Sequence, residues 1–322
     1  MTGAGMNGGR GRHRRRRGGG PGEQPMVPDA AFGSYYGKPI INAPIWGSPE
    51  IPGYLFLGGL AGASSVLGAG AQLTGRPALE RVVKAGAVAA GALSMVALVR
   101  DLGRPLRFVN MLRTFKVTSP MSVGSWLLSS YVPAAFVAGG CALTGRLPRI
   151  GAAATAGSAL LGPGVAAYTA ALVADTAVPA WHDGFRELPF VFVGSAAMAA
   201  GGLGMLGAPA ESDPARNLAL AGVCTELSAT SLMERRLGMV AEPYRSGRSG
   251  AYLKASKALT VLGAAGAVVG GRSSLVRRLA GAAFLAASVS TRWGVFQAGI
   301  ASAKDPKYTV VPQRERLDAG AT

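Results

Sequence analysis

The sequence predicts an all-α, polytopic membrane protein with eight transmembrane helices arranged as two four-helix bundles. Three observations carry that expectation. Apolar residues make up 49% of the chain and charged ones only 15%, while glycine fills 48 positions, about twice its usual share of roughly 7%. Mean hydropathy is positive although the net charge is +17, so charge and apolar surface must be segregated along the chain. Between polar ends, the apolar residues come in runs long enough to cross a hydrocarbon core, which takes about 20 helical residues. The apolar content excludes disorder throughout. The two cysteines, Cys141 and Cys224, lack CxxC spacing, which excludes a disulfide scaffold and makes them read as small core residues.

Residues 1–45 are expected to be a disordered basic tail and approach segment, because GGRGRHRRRRGGGPG offers no apolar face to bury. A twin-arginine export signal would need an apolar run close behind it. The first such run starts near Gly53, so the arm reads as a cytoplasmic segment drawn to anionic lipid at about 1 kcal/mol per basic residue. The membrane domain is expected over 46–303, with crossings near 53–73, 80–100, 122–143, 150–173, 188–208, 216–237, 252–270 and 275–300. Separators such as LTGRPALE, DLGRPLRF and GAPAESDPAR combine helix breakers with charge and keep polar backbone in the headgroup zone. The seventh run is the weakest, being short, with Lys254 and Lys257 in its first turns, where they can snorkel. Runs such as GGLAGASSVLGAGA space small residues four apart, which lets helix backbones approach closely. Residues 304–322 form a polar C-terminal tail.

Basic residues set the expected orientation. With the N-terminus inside, the inner loops hold five (Arg100, Arg104, Arg107, Arg113, Lys116), one (Arg186) and six (Arg235, Arg236, Arg245, Arg248, Lys254, Lys257). The outer loops hold three, two, one and three, so both termini are expected to be cytoplasmic in a multi-pass inner-membrane protein.

Chemistry is constrained by what the helices lack. The only histidines are His13 in the arginine arm and His182 in a polar loop, so no bis-histidine heme site can be built, and no cluster suggests a metal. What remains is a sparse set of carboxylates at or inside the membrane: Glu50, Asp101, Asp175, Glu226 and Glu234. Each costs roughly 2.5–3.5 kcal/mol at mid-bilayer, so such groups face a cavity, a partner or a proton route. Asp101, between Arg100 and Arg104, also reads as an interfacial ion pair ending its helix. Glu226, in VCTELSATS with no basic neighbour in sequence, reads as part of a hydroxyl-lined proton route together with Asp175, and Glu234 as a solvated salt-bridge partner. Tyr168 is a phenol among alanines that needs a hydrogen-bond partner or merely fills a gap. Trp46, Trp126, Trp181 and Trp293 lie near helix ends, where an aromatic belt is the default reading.

The segments PGYLFLGGLAGASSVL, VRDLGRPLRFVNMLRTFKVTSPMSVGSW and YTAALVADTAVPAW resemble the NrfD/PsrC family of polysulfide-reductase-type membrane subunits, over about Ser34 to Lys304. The resemblance implies an eight-helix, heme-free subunit that exchanges electrons between menaquinone or ubiquinone and a four-cluster, ferredoxin-like iron-sulfur subunit. It also implies a molybdenum or tungsten pterin catalytic subunit beyond that one, and no nucleic-acid partner. By position it places the quinone within the first four helices, with Asn42, Trp46, Tyr54, Ser122 and Tyr168 as binding residues and Asp101, Tyr168 and Glu50 as the reactive set. Arg100 stands where related chains often carry histidine, which moves the proton-handling role to Asp101 or Glu50.

The loop from Arg104 to Pro120 interleaves Arg104, Arg107, Arg113 and Lys116 with Phe108 and Phe115. By composition alone it is a basic membrane-surface segment. The resemblance makes it the docking platform for the iron-sulfur subunit, on the cytoplasmic side by the charge count. The approach SYYGKPIINAPIW is most similar to chains of formate dehydrogenase complexes in a respiratory chain. Two other readings compete: a proton-coupled secondary transporter or channel using Glu226, Asp175 and Glu234, and a structural anchor with a degenerate pocket.

Overall fold

A computed structural model describes residues 40–42, 44–102, 106–271 and 273–320. The arginine arm of the N-terminal tail, and Arg104 in the basic loop, lie outside the described residues. The helices are α1 (Glu50–Leu73), α2 (Pro77–Asp101), α3 (Leu106–Met111), α4 (Pro120–Thr144), α5 (Pro148–Ala174), α6 (Pro179–Asp183), α7 (Leu188–Gly207), α8 (Asp213–Arg236), α9 (Glu242–Arg245), α10 (Gly247–Val269), α11 (Ser274–Lys304) and α12 (Lys307–Gly320). Among the described residues, eight of these are 20 residues or longer, and each overlaps one of the expected crossings.

Their limits follow from local chemistry. Proline occupies the first turn of α2, α4, α5 and α7, where its missing N–H is not needed. Ser119 caps α4 by accepting the Ser122 N–H at 3.4 Å, and Gly145, at φ 67°, closes the same helix in the left-handed region. Seven of the eight long helices are apolar enough to cross a membrane. The eighth, α8, has the length but not the composition, since it carries Asp213, Arg216, Glu226, Glu234, Arg235 and Arg236. The weak crossing is therefore the sixth run, whereas the seventh, now α10, qualifies.

The long helices pack closely within α1, α2, α4 and α5 and within α7, α8, α10 and α11, and contacts of α7 with α1 and α5 join these groups. Small residues make the packing tight. A Cβ on Gly62 of α1 would run into the carbonyl oxygen of Gly162 on α5, and one on Gly222 of α8 would meet the main chain of α7 at Gly194 and Met198. Backbones this close gain dispersion contacts that lipid cannot supply. One apolar core runs without interruption through α1, α5, α7 and α11.

Two expectations are corrected here. Trp181 is fully buried and not part of an interfacial belt: its Nε1 donates to the Val295 carbonyl at 2.8 Å, and its ring stacks on Trp46 at 5.5 Å. Cys224 is exposed on the outer face of α8 and Cys141 is half-buried, so the thiols do not fill a core. After Lys304 the chain folds as α12, tied to α9 by Lys307 Nζ donating to Glu242 Oε2 at 2.9 Å.

Candidate functional site

The first helices converge on one cavity. The segment before α1 is held against the end of α2 by the Gly47 N–H, which donates to Asp101 Oδ1 at 3.3 Å. Gly47 then accepts the Ile51 N–H at 3.1 Å, which starts α1 with Tyr54 facing inward. The cavity, mouth included, encloses about 590 Å³, and its polar lining comes from Trp46, Tyr54, Asp101, Ser125 and Tyr168. Aliphatic side chains such as Ile51, Leu55, Leu98 and Leu128 make up most of the remaining wall. Mostly apolar walls with a few convergent polar groups suit a largely apolar ligand.

Tyr168 is the distinctive group. It is 9% exposed, and its hydroxyl is buried with no hydrogen-bond partner among the described residues. Gly124 of α4 leaves the room its ring occupies, since a Cβ there would collide with that ring. A buried hydroxyl without a partner costs roughly 1–3 kcal/mol, which a ligand carbonyl would offset. Ser125 offers less, because its hydroxyl already donates to the Met121 carbonyl at 2.8 Å. Trp46 forms one wall and is braced by its stack on Trp181.

Not every expected residue reaches the cavity. Glu50 is not in its lining, but a Cβ on Gly47 would lie 3.1 Å from Glu50 Oε2 and 3.5 Å from Asp101 Oδ1, so the two carboxylates flank one glycine at the cavity's edge. Asn42 is exposed and lies apart from the lining. Ser122 instead pins the basic loop: its hydroxyl donates to the Thr114 carbonyl and accepts the Lys116 N–H, both at 3.0 Å. On that loop Arg107, Arg113, Phe115 and Lys116 are exposed and Phe108 is half-buried, with Phe115 set edge-on to Trp126 at 6.1 Å.

Among α7, α8, α10 and α11 lies a second, narrow pocket, about 420 Å³ with the open space at its mouth counted, lined by Glu226, Thr230, Glu234, Ser256, Lys257 and Thr291 among others. Glu226 is 4% exposed. One of its carboxylate oxygens accepts the Thr291 hydroxyl at 2.6 Å and the other has no partner among the described residues. Glu234 accepts from Arg245 Nε at 3.0 Å and Lys257 Nζ at 2.8 Å, the salt-bridged role expected of it. Asp175 is exposed at the end of α5 and lines neither cavity. Sequence reading missed Arg292, a cation in the middle of α11 that is 0% exposed. A lone arginine inside an otherwise apolar run was the available signal.

Among the described residues, no three His, Cys, Asp or Glu side chains group as a metal site. Fold and cavity together describe a multi-pass membrane protein with an apolar-walled slot beside a carboxylate and a phenol that has no hydrogen-bond partner among the described residues. The family described as polysulphide reductase, NrfD, matches residues 40–208, and the chain belongs to that family, whose members are quinone-interacting membrane subunits of oxidoreductase complexes. No curated protein matches the chain. Every residue lining the first cavity falls inside the matched stretch, whereas Glu226 and Arg292 fall beyond it.

Proposed function

We propose that this subunit binds menaquinone or ubiquinone in the first cavity and passes electrons between it and a four-cluster, ferredoxin-like iron-sulfur subunit docked on the basic loop. The observation that carries the reading is the Tyr168 hydroxyl, which has no hydrogen-bond partner among the described residues and is buried in the same apolar cavity that Asp101 lines. Reducing a quinone consumes two electrons and two protons and yields the quinol. Tyr168 Oη donates a hydrogen bond to one quinone carbonyl. Asp101, with Glu50 beside it at the cavity's edge, relays protons from the aqueous side to the quinone oxygens. The aliphatic wall takes the start of the isoprenoid tail, and the partner's clusters supply or accept the electrons.

Arg107, Arg113 and Lys116, with Phe108 and Phe115, form the docking platform, and a molybdenum or tungsten pterin subunit completes the complex. The eight long helices are read as eight crossings in two halves, with both termini and the catalytic module cytoplasmic and formate as donor. The test is purification of the complex in mild detergent at low salt, where the basic loop is unscreened. An iron-sulfur polypeptide and bound quinone should come down with the chain, and Asp101→Asn with Tyr168→Phe should abolish quinol formation. Purification of the chain alone, free of quinone, would overturn the reading.

A second reading, proton-coupled transport, is favoured by the second cavity, where Glu226, Thr230 and Glu234 follow one another at helical spacing along one wall. It requires proton flux in vesicles holding this chain alone, without any redox partner.

A further inference from the structure

Two buried ionisable side chains, Arg292 and Glu226, take no part in the proposed quinone chemistry. Arg292 Nη2 donates to the Phe192 carbonyl at 2.8 Å, and the guanidinium lies 3.8 Å from the centre of the Phe192 ring. Its Nε and Nη1, like the second oxygen of Glu226, have no hydrogen-bond partner among the described residues. An arginine remains charged even when enclosed. Its position ties it to the first cavity: a Cβ on Gly59 of α1 would lie 3.0 Å from Arg292 Nη2. Gly59 follows Leu55 by one helical turn on the same face, and Leu55 lines that cavity. Arg292 Nη2 therefore lies within roughly 10 Å of Leu55, one turn further along the same face of α1. Inside a packed protein a full charge at that distance is poorly screened.

We infer that Arg292 accelerates electron transfer into the first cavity by stabilising the negative charge that develops on the bound quinone before its protons arrive, and that the Glu226 carboxylate, held by the Thr291 hydroxyl next to Arg292 on α11, opposes it. The inference rests on the proposed quinone reading. Neither residue touches the quinone, so both act through the field alone. A preorganised charge aimed at developing negative charge lowers the barrier without changing how tightly the neutral quinone binds.

The measurement is single-turnover reduction of bound quinone by pre-reduced clusters in the intact complex, followed by stopped-flow absorbance. Arg292→Gln should slow it about tenfold, a unit charge at this distance and an effective dielectric near 20 being of that order. Quinone affinity should stay unchanged, and Arg292→Lys should restore most of the rate. Glu226→Gln, nearly identical in volume, should speed the step. A native rate in Arg292→Gln with quinone still bound overturns the inference. If that variant fails to assemble, Glu226→Gln decides, and an unchanged or slower rate overturns it. A native complex that reduces no quinone overturns the quinone reading as well, whereas one that does so regardless of residue 292 overturns this inference alone.

Discussion

The Gly47 N–H and the Asp101 carboxylate, 3.3 Å apart, join the chain segment that leads into α1 to the last residue of α2. One oxygen of Asp101 is thereby held in place at the cavity's edge, and the same group has a structural and a chemical task. Two substitutions separate them. Asp101→Asn keeps an acceptor for Gly47 and removes the ionisable group, so quinol formation should fall about 10²–10⁴-fold with the complex intact. Asp101→Leu also loses the tether and should lower the amount of folded protein. Quinone reductase assays on membranes with matched subunit content measure both.

Tyr168→Phe should act in opposite directions on stability and on binding. Its hydroxyl has no partner among the described residues, so removing it should leave thermal stability in detergent unchanged or slightly higher without quinone. Quinone affinity should drop roughly tenfold, about the worth of one buried hydrogen bond. A large loss of stability in the quinone-free variant would mean that the phenol already serves the fold.

The helices and the core of this site were legible in the sequence for physical reasons. A run of apolar residues bounded by proline, glycine and charge has few ways to bury its backbone except as a helix, and each expected run overlaps an observed one. Trp46, Tyr54, Asp101 and Tyr168, singled out in the sequence, come from three separate segments and line one cavity. Relations across distant helices were not legible. Glu226 has no basic neighbour along the chain, yet its carboxylate accepts the hydroxyl of Thr291, the residue next to Arg292 on α11. Trp181 misled because a tryptophan near a helix end commonly sits at an interface, and only the fold shows that it fills a core.

Close contact between Gly62 and Gly162 makes the α1–α5 seam intolerant of added volume. Gly62→Ala places its Cβ against the Gly162 carbonyl, with no flexible side chain to move aside, and should cost about 1–3 kcal/mol. Gly157→Ala, on α5 where a Cβ meets nothing within 4 Å, is the matched control and should be neutral or mildly stabilising through helix propensity. Detergent-solubilised melting curves of the two variants make the comparison.

Outside the membrane, the link between α9 and α12 should respond to pH and salt. The hydrogen bond from Lys307, 2.9 Å away, holds the Glu242 carboxyl below the usual carboxylate range, and the same bond raises the Lys307 ammonium. A carboxyl whose folded-state value is depressed contributes stability above its unfolded value of about 4.3, and that contribution is lost as pH falls through the lower folded value. A raised lysine contributes below its unfolded value of about 10.4 and loses that contribution as pH rises through the folded one. The docking of α12 should therefore be flat across neutral pH and weaken below about pH 4. Both side chains are well exposed, so the effect is modest and salt should screen it. Hydrogen exchange over residues 307–320 should rise in acid in the native protein, and Glu242→Gln should show the raised exchange at neutral pH with no further acid step.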